Sequence, residues 1–390
     1  MWSLAEILAL SLVPKMRSVD LRRFVEEYAS LTALLKAMPP ELRKAKLFDA
    51  AQQAASTLIT EQDSLFPVSS STRRTAASVY DALLSEAHAQ EQQCASEDVR
   101  IVSYWDEEYP PLLKQIFYPP TLLYVRGTLQ SGEAESGEAH SIGIVGTRHC
   151  TDYGRMAAEQ YAARFAEAGI TVVSGLATGI DTFAHKASLR AGGATYAVIA
   201  SGIDKISPQY SASFAREISS GRGAVISEYP CGTAAQRAYF PRRNRIITGL
   251  SEAILVVESG EKGGSLITAR FALDENRELF AIPGRIYSER SKGANLLIQR
   301  SEARLTLTPN DMLAALNIEV PVQDSAEGAS ELDALERSIY NALSGDPIHI
   351  ETLAERTGAS VQDLLFVLLQ LEFKGFVRQL AGKQFMRLGT

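Results

Sequence analysis

The sequence predicts an α/β fold: a doubly wound, Rossmann-like parallel sheet with a helical module before it and a winged-helix-like domain after it. Two observations carry this prediction. Between residues 141 and 284, short apolar β-branched runs alternate with amphipathic stretches, and the flanking parts of the chain show apolar residues at three- and four-residue spacings. Continuous apolar strands separated by helices are typical of a parallel sheet covered on both faces. With 390 residues, 46% of them hydrophobic, the chain can bury a sizeable core.

The first predicted domain, residues 1–100, is a helical module followed by a connector. Its helical runs are LAEILALSLV, LRRFVEEYASLTALLKAM and LFDAAQQAASTLI, with an exposed helical stretch at about 60–100. The segment LALSLVPKMRSVDLRRFVEEY is similar to a helix-hairpin-helix or sterile-alpha-motif (SAM) unit. It lacks the hairpin glycines that let a backbone approach a phosphate, which argues against such contact there.

The second predicted domain, residues 101–318, is an extended Rossmann-like domain. Its first part, IVSYWDEEYPPLLKQIFYPPTLLYVRG, contains two proline pairs and is predicted to be irregular and packed on the sheet. Residues 129–140 are rich in Gly, Ser and Glu and are predicted to form a mobile surface loop. The candidate strands of the sheet are SIGIVG, TVVSG, TYAVIASG, AVISE, AILVVESG and LFAIPG.

The end of the chain is predicted to hold a linker, residues 319–332, and a winged-helix-like domain, residues 333–390. Three helical runs followed by a hairpin pattern give the winged-helix order. Residues 331–390 contain 6 basic and 8 acidic residues, and the third helical run, SVQDLLFVLLQLEFK, is largely apolar. Reading of base edges in the major groove needs projecting Arg, Asn or Gln side chains, so the composition favours protein contact over sequence-specific binding.

Charge is divided unevenly along the chain. The formal net charge is −7, but residues 141–310 contain 20 basic and 15 acidic residues, a net of +5, and the rest contains 19 basic and 31 acidic residues, a net of −12. A locally basic domain suits an anionic ligand, although scattered solvated charge would give the same balance.

The residues that follow the strands form the candidate site, because the ligand crevice of a doubly wound sheet lies outside the carboxyl ends of its strands. Glycines there let backbone N–H groups approach a phosphate. The pattern G-x-G-x-x-G and the P-loop pattern are both missing, which disfavours a dinucleotide or the hydrolysis of a nucleoside triphosphate. Cationic groups come from separate loops, at Arg148, Lys262, Arg285 and residues 237–245. Such spacing favours a polymer with many phosphates over one compact head group.

The block FPRRNRIITG, residues 240–249, is the strongest signal. Pro241 disfavours helix at Phe240, so we expect Phe240 in an extended stretch. An aromatic ring beside guanidinium and amide groups favours unpaired nucleic acid: we expect Phe240 to stack on a base and Asn244 to fix the backbone or a base edge. Arg243 and Arg245 are expected to face phosphate or to hold the loop. Arg242 is expected to be a bystander. The alternative is that Phe240 is core and some of the arginines pair with carboxylates.

Several other polar residues have simpler explanations. Asp181 is predicted to be a helix N-cap, with His185 as a satisfied polar partner. Three glutamates at strand ends, Glu228, Glu252 and Glu258, lack a nucleophile motif, so hydrolysis is possible but not indicated. The three cysteines have neither zinc nor disulfide spacing, and we expect neither a metal nor a cofactor. No membrane span is predicted, and we expect a cytoplasmic protein.

Taken in order, the motifs IVGTRHCTDYG, VVSGLATGIDTFAHKASLRAGGATYAVIASGID, SEYPCGT, YFPRRNRIITGLSEAILVVESGEKGGSLITARFALDENRELFAIPGR and GANLLIQRSEARL resemble the DNA-processing protein A (DprA/Smf) family over about residues 105–310. The resemblance implies a dimeric single-stranded DNA binding protein of natural transformation, without catalytic activity, that protects incoming DNA and helps to load the RecA recombinase onto it. The family motifs fall on Arg148, Arg237, Phe240–Arg245 and the loop at Lys262. The DNA-binding residues that we expect are Gly146, Thr147, Arg148, Ser174, Gly175, Arg237, Phe240, Arg243, Asn244, Arg245, Lys262, Gly264 and Ser265.

Two other functions stay open at this point. The run from Gly263 to Thr268 faintly resembles the GG-x-x-T loop of lysine-decarboxylase-like phosphoribohydrolases, which would make the protein a Rossmann-like nucleotide-binding enzyme. That alternative leaves the long flanks and the aromatic and arginine block unexplained. The second is a scaffolding protein whose crevice is vestigial.

Overall fold

The computed structural model describes residues 2–44, 76–129, 133–134, 137–138, 140–318, 332–373, 376–380 and 382–387. The chain forms two compact units, Met1–Glu319 and Val320–Thr390. The expected linker at 319–332 lies outside the described residues except for Leu332, and the domain boundaries at residues 101 and 333 stay predictions.

The first unit contains a nine-stranded sheet. Its strand order is β1-β2-β8-β7-β6-β5-β9-β10-β11. Strands β5 to β11 run parallel to one another, β2 is antiparallel to both of its neighbours, β1 and β8, and β1 therefore runs in the same direction as β8. The strands are β1 Arg100–Ser103, β2 Leu122–Gly127, β5 Ser141–Val145, β6 Thr171–Ser174, β7 Thr195–Ile199, β8 Ala224–Ser227, β9 Ala253–Val256, β10 Glu278–Ala281 and β11 Arg304–Leu305. All six predicted strands are present, and the doubly wound sheet is confirmed.

Helices cover both faces of this sheet. They are α1 Leu4–Ser11, α2 Ser18–Glu27, α3 Leu31–Ala37, α4 Pro40–Lys44, α5 Ala76–Ser96, α6 Pro111–Lys114, α7 Asp152–Glu167, α8 Ile180–Arg190, α9 Ala212–Ser220, α10 Tyr239–Gly249, α11 Ser265–Asp274, α12 Lys292–Gln299 and α13 Pro309–Ala315. Among the described residues, no helix is both long and apolar enough to cross a membrane.

Two apolar cores lie on opposite faces of the sheet, because successive strand residues point to opposite sides. In β7, Ala197 and Ile199 belong to the core that also contains the N-terminal helices. Tyr196 and Val198 belong to the other core, which contains α10 and α11. The helical module is therefore packed on the sheet within the same compact unit.

Residues 100–127 differ from the prediction of an irregular segment. They supply β1 and β2, which pair with each other, and β2 extends the sheet by pairing with β8. The prolines do not interrupt these strands because they lie between them, around α6 and before Leu122. Two-residue strands β3, Glu133–Ala134, and β4, Gly137–Glu138, also pair within the segment that we expected to be a loop.

The N-terminal module buries one side of α5, although the sequence predicted an exposed stretch there. Val79, Leu83 and Ala87 are buried in the core that also holds Leu8 and Phe24. At the end of α5 the Sγ atom of Cys94 lies 3.6 Å from that of Cys231, which follows β8. The predicted helical run LFDAAQQAASTLI lies outside the described residues.

The second unit is a winged-helix domain. It contains α14 Ala334–Ala342, β12 Ile348–His349, α15 Ile350–Thr357, α16 Val361–Phe373, β13 Val377–Leu380 and β14 Gln384–Arg387, with sheet order β12-β14-β13. A capping box begins α14, since the Asp333 carboxylate accepts from the Glu336 N–H and the Glu336 side chain accepts from the Asp333 N–H. Leu365, Phe366 and Leu369 of α16 are exposed, and a protein-contact role for this helix stays a prediction.

Candidate nucleic-acid interface

The sheet reverses its winding direction between β5 and β9. These strands are parallel neighbours, but the chain leaves β5 toward β6 on one side and leaves β9 toward β10 on the other. The loops after both strands therefore diverge and leave a crevice, the usual ligand position in doubly wound sheets. A cavity of about 690 Å³, which we call the strand-end cavity, opens there. It is lined by Val145, Gly146, Thr147, Arg148, Ala177, Asp181, Arg237, Phe240, Pro241, Arg243, Asn244, Ile247, Gly263, Gly264, Ser265, Ile267 and Thr268.

Most of the expected DNA-binding residues surround this cavity. Nine line it: Gly146, Thr147, Arg148, Arg237, Phe240, Arg243, Asn244, Gly264 and Ser265. Ser174, Gly175, Arg245 and Lys262 lie outside the lining, as does Arg285. The structure thus brings together residues from three separate segments of the chain, 146–148, 237–244 and 264–265, as the strand-end rule predicts.

The loop after β5 is held from two sides. The Thr147 N–H donates to the Glu258 carbonyl at 2.8 Å, and the Thr147 carbonyl accepts from the Ile180 N–H at 3.3 Å. These backbone bonds tie it to the loop after β9 and to the start of α8. The next side chain, Arg148, is exposed, and its guanidinium lies 5.6 Å from the centre of the Phe240 ring. A cation over an aromatic ring gives this wall of the cavity both a positive charge and a flat apolar surface.

The arginine block is helical, so the prediction of an extended Phe240 was wrong. Helix α10 begins at Tyr239, which makes Pro241 its third residue. The first N–H groups of a helix have no partner within the helix, so a proline in the first turn removes no hydrogen bond. The helix places Phe240, Asn244 and Ile247 along one side, toward the strand-end cavity.

Arg243 is buried and holds the strand ends together. Its Nη1 atom donates to the Gly175 carbonyl at 2.7 Å and to the Val198 carbonyl, and its Nε atom donates to Asn244 Oδ1 at 3.2 Å. Of the two roles that the sequence allowed, this geometry fits the one that holds the loop. A Cβ atom on Gly175 would lie 2.8 Å from the Arg243 guanidinium, so glycine is needed at this close approach.

Asp181 completes this buried arrangement, and it is not the predicted N-cap. Gly179 takes the N-cap position of α8, with a φ of 82°. The Asp181 carboxylate instead accepts from the N–H groups of Gly175 at 3.1 Å and Ala177 at 3.3 Å. Burial raises the pKa of Asp181 to about 6, against the opposing effect of Arg243. Burial likewise lowers the pKa of Arg243 to about 10, so the guanidinium is charged at neutral pH.

His185 lies one turn after Asp181 and is fully buried. The Thr195 hydroxyl donates to the Val172 carbonyl at 2.7 Å, so it accepts from His185 Nδ1, which lies 2.6 Å away. The Nε2 atom is then unprotonated, and it has no partner within the described residues. Burial lowers the pKa of His185 to about 3, and Arg243 adds to the shift. This histidine is a neutral core residue with one of its two nitrogens satisfied.

Arg245 and Arg242 lie away from the strand-end cavity. Arg245 is buried and forms an ion pair with Glu228 through Nη2 and Oε1. Arg242 is exposed. Arg243 and Arg245 therefore have partners inside the protein, and Arg242 faces solvent. The pairing of Arg245 with a carboxylate agrees with the alternative interpretation of the sequence.

The remaining predicted residues support the cavity or stand beside it. Ser174 is fully buried, and its hydroxyl donates to the Ile144 carbonyl at 2.6 Å. Gly264 and Ser265 form the start of α11, where the Ser265 hydroxyl donates to Ser259 Oγ at 2.8 Å. Lys262 is exposed just before this turn. Contact of these residues with DNA stays a prediction.

The three glutamates at strand ends all have structural partners. Glu258 accepts from the N–H and the hydroxyl of Thr151, at 2.9 and 2.6 Å, and so anchors the start of α7. Glu252 lies 3.0 Å from His140 Nδ1, and Glu228 pairs with Arg245. Across the part of the chain that the structure describes, no group of three His, Cys, Asp or Glu side chains is arranged to hold a metal ion.

The DNA-binding residues expected from sequence leave out eight residues that line the cavity. They are Val145, Ala177, Asp181, Pro241, Ile247, Gly263, Ile267 and Thr268. A helical reading of residues 239–249 would have found Ile247, which lies one turn after Asn244 on the same side. Ile267 and Thr268 belong to the first turn of α11, the helix whose start the sequence already placed at Ser265.

Comparison with known proteins gives consistent matches. A family model described as "DNA recombination-mediator protein A" matches residues 100–317, and one described as "DprA winged helix domain" matches residues 323–383. "Protein Smf" of Synechocystis is 34% identical over 316 residues, which cover 72% of this chain and 78% of that protein.

Two of the solved structures that match are of DNA processing protein A. The X-ray structure of DNA processing protein A from Streptococcus pneumoniae has a TM-score of 0.54 and 31% identity, and the match covers 69% of this chain and 92% of that one. A structure of DNA processing protein A from Helicobacter pylori, described by its single-stranded DNA binding mode, has a TM-score of 0.51 and 25% identity, over 57% of this chain and 97% of that one.

We predict that Arg243→Ala destabilises the first unit by about 3 to 5 kcal/mol, because it leaves the buried Asp181 carboxylate without its cation. Arg237→Ala, an exposed change at the same cavity, is the matched control and should stay within about 0.5 kcal/mol. Urea unfolding followed by tryptophan fluorescence measures both, since Trp2 and Trp105 lie in the first unit. Equal midpoints for the two variants would contradict the structural role of Arg243.

We also predict that the His185→Asn variant loses less stability than the wild type when the pH is lowered. The folded-state pKa of His185, about 3, lies below the unfolded value near 6.5, so its contribution is present above pH 6.5 and is lost as pH falls toward 3. Between about pH 7 and pH 5, protonation of this histidine in the unfolded state should lower the free energy of unfolding of the wild type by about 2 kcal/mol. Asp181, whose pKa is raised, acts with the opposite sign in both proteins and cancels in the comparison. Urea midpoints at the two pH values test this; parallel losses would show that His185 does not titrate as described.

Proposed function

Because the chain belongs to the DNA recombination-mediator protein A family, we propose that it binds single-stranded DNA in the strand-end cavity and delivers the strand to a recombinase. The observation that carries the proposal is the Arg148 and Phe240 pair, which gives the cavity a charged and a stacking surface in contact. Single-stranded nucleic acid is held by these two kinds of surface, which track the phosphates and stack the bases.

The cavity has donors for phosphate at three of its walls. Arg148 and Arg237 are exposed cations on opposite loops, and Gly264 and Ser265 start a ten-residue helix at the third wall. The N-terminal N–H groups of a helix favour an anion. We assign these groups to phosphates and not to base edges, so we expect binding of mixed sequences with a strong dependence on salt.

Roles within the arginine block follow from burial. Arg243 and Arg245 have internal partners, so they shape the cavity and we assign them no phosphate. Phe240 is half-buried and offers a ring face to a base, and Asn244 keeps its amide N–H₂ beside the cavity while its Oδ1 accepts from Arg243.

The nucleotide-binding enzyme is the second candidate, because Gly263, Gly264 and Thr268 of the resembling loop do line the cavity. Hydrolysis of a nucleoside monophosphate in that class uses an arginine and glutamate pair. Among the described residues that line this cavity, Asp181 is the sole carboxylate, and two backbone N–H groups already bind it. We therefore infer a binding protein without a catalytic step.

The partners of the proposed function come from the family resemblance. We infer a homodimer that protects incoming single strands in natural transformation and helps to load the RecA recombinase. Since the strand and the recombinase meet in the cytoplasm, we infer that location for the protein.

We predict that the protein binds mixed-sequence oligonucleotides with a preference for single strands over duplexes, and that Arg148→Ala weakens binding about 5- to 150-fold through the loss of one charged contact. Fluorescence anisotropy at several salt concentrations measures the affinity. Arg148 is exposed, so the urea midpoint should not change.

Arg222→Ala is the matched control for this experiment, since Arg222 is exposed at the opposite, amino-terminal end of β8. Its affinity should equal that of the wild type. Equal affinity of the wild type for single and double strands would overturn the proposal, and release of a free base from a nucleoside monophosphate would favour the enzyme.

We further predict that the wild type, and not Arg148→Ala, shortens the delay before RecA covers a single strand already coated with a single-strand binding protein. Delivery requires the strand to be held, so a binding defect should carry through to loading. The rate of ATP hydrolysis by RecA on the coated strand reports the delay. A full effect of Arg148→Ala would separate loading from the strand-end cavity.

A further inference from the structure

A second cavity lies on the other side of α10. It has a volume of about 860 Å³ and is bounded by the first turn of α10, by Glu228–Pro230 after β8 and by residues 11–21 of the helical module. We call it the tyrosine cavity, after the four tyrosines that line it: Tyr118, Tyr124, Tyr229 and Tyr239. The family motifs that fall on the strand-end cavity do not account for this cavity.

Aromatic rings form one side of the tyrosine cavity. Tyr229 and Tyr239 are stacked, with ring centres 4.2 Å apart and an angle of 19° between the rings, and both are partly exposed. Tyr118 is 55% exposed on the same lining. A stacked pair with an open face is a surface on which a further flat ring can stack.

Positive charge dominates the polar groups around these rings. Lys15 and Arg242 are exposed and line the cavity from opposite sides. The acidic groups nearby are already paired: Glu228 with Arg245, and Asp20 with Arg17 at 2.6 and 2.8 Å. The uncompensated charge is therefore cationic, which suits a phosphate next to the stacked rings.

The two cavities lie on opposite sides of the beginning of α10. Phe240 and Asn244 line the strand-end cavity, whereas Tyr239 and Arg242 line the tyrosine cavity. A helix with its side chains is about 10 to 12 Å thick, so a flexible strand can pass over the first turn of α10 and reach both sides. Pro241 is exposed at this crossing, where it removes an N–H group that would otherwise need a partner.

We propose that the tyrosine cavity is a second subsite for the same single strand, in which Tyr239 stacks on a base and Arg242 contacts a phosphate. Lys15 of the helical module forms the opposite wall. This inference rests on the proposed function. It also reverses two expectations from sequence, that Arg242 is a bystander and that the helical module makes no phosphate contact.

The test is a ladder of oligothymidylates from roughly 4 to 16 nucleotides, the range of site sizes of single-strand binding modules. Arg242→Ala should leave the affinity for the shortest oligonucleotide unchanged and weaken binding of the longest roughly tenfold. For the long oligonucleotide, the slope of log affinity against log salt should fall by about 0.7, the value for one phosphate contact on a single strand. Arg222→Ala should change neither quantity.

Tyr239→Ala should give the same dependence on length, and Tyr239→Phe should restore binding because the ring is retained. Since Tyr239 starts α10, loss of the ring could also disturb the helix, and a second measurement avoids that ambiguity. Wild-type protein should also be photocrosslinked to long oligothymidylates that carry one thio-substituted thymidine. The peptide that contains Tyr239 should be labelled only when this thymidine lies outside the segment that fills the strand-end cavity.

The outcomes separate the two proposals. Loss of affinity at every length in Arg148→Ala, with no loss at any length in Arg242→Ala, overturns the second subsite and leaves the proposed function standing. Crosslinks confined to the lining of the strand-end cavity also overturn the second subsite. Failure of the wild type to bind any oligonucleotide of the ladder overturns both.

Discussion

The buried guanidinium of Arg243 is the interaction on which the site depends. It reaches from α10 to the carboxyl ends of two neighbouring strands, β6 through the Gly175 carbonyl and β7 through the Val198 carbonyl. A buried charge is costly unless it is paired and hydrogen-bonded, and the nearby Asp181 carboxylate supplies the opposite charge. Because Asp181 in turn binds the N–H groups of Gly175 and Ala177, the loop after β6 and the start of α10 are fixed against each other.

This constraint explains why one short block contains residues with opposite environments. With Arg243 fixed inward, the 3.6-residue period places Phe240 and Ile247 toward one cavity and Tyr239 and Arg242 toward the other. Arg245, two residues after Arg243 and so on the opposite side of the helix, lines the tyrosine cavity and pairs with Glu228. The arginines of α10 differ in role because they differ in position around the helix. The number of arginines in the block does not predict which of them are buried and which are exposed.

The sequence predicted the parts of the fold that are set by local pattern. Apolar β-branched runs identified all the strands from β5 to β10, and the strand-end rule brought the distant loops that contain Arg148 and Gly264 to one cavity. The sequence did not predict the features that depend on tertiary contacts. Pro241 suggested a break, but a proline in a first helical turn costs little, and the prolines near β2 lie before its first residue. The contact of Cys94 with Cys231, 137 residues apart, and the burial of Arg243 depend on packing that no linear spacing reveals.

The acidic balance of the chain does not oppose binding of a polyanion. At physiological ionic strength the potential of an exposed charge falls off within about 8 Å, so charges close to a bound strand decide its affinity. Near the two cavities, the carboxylates of Asp181, Glu228 and Glu258 are occupied by backbone, arginine or threonine donors. The cations Arg148 and Arg242 remain exposed. Because these three carboxylates have internal partners and the two arginines face solvent, cationic groups are available to a strand at both cavities although the chain as a whole is acidic.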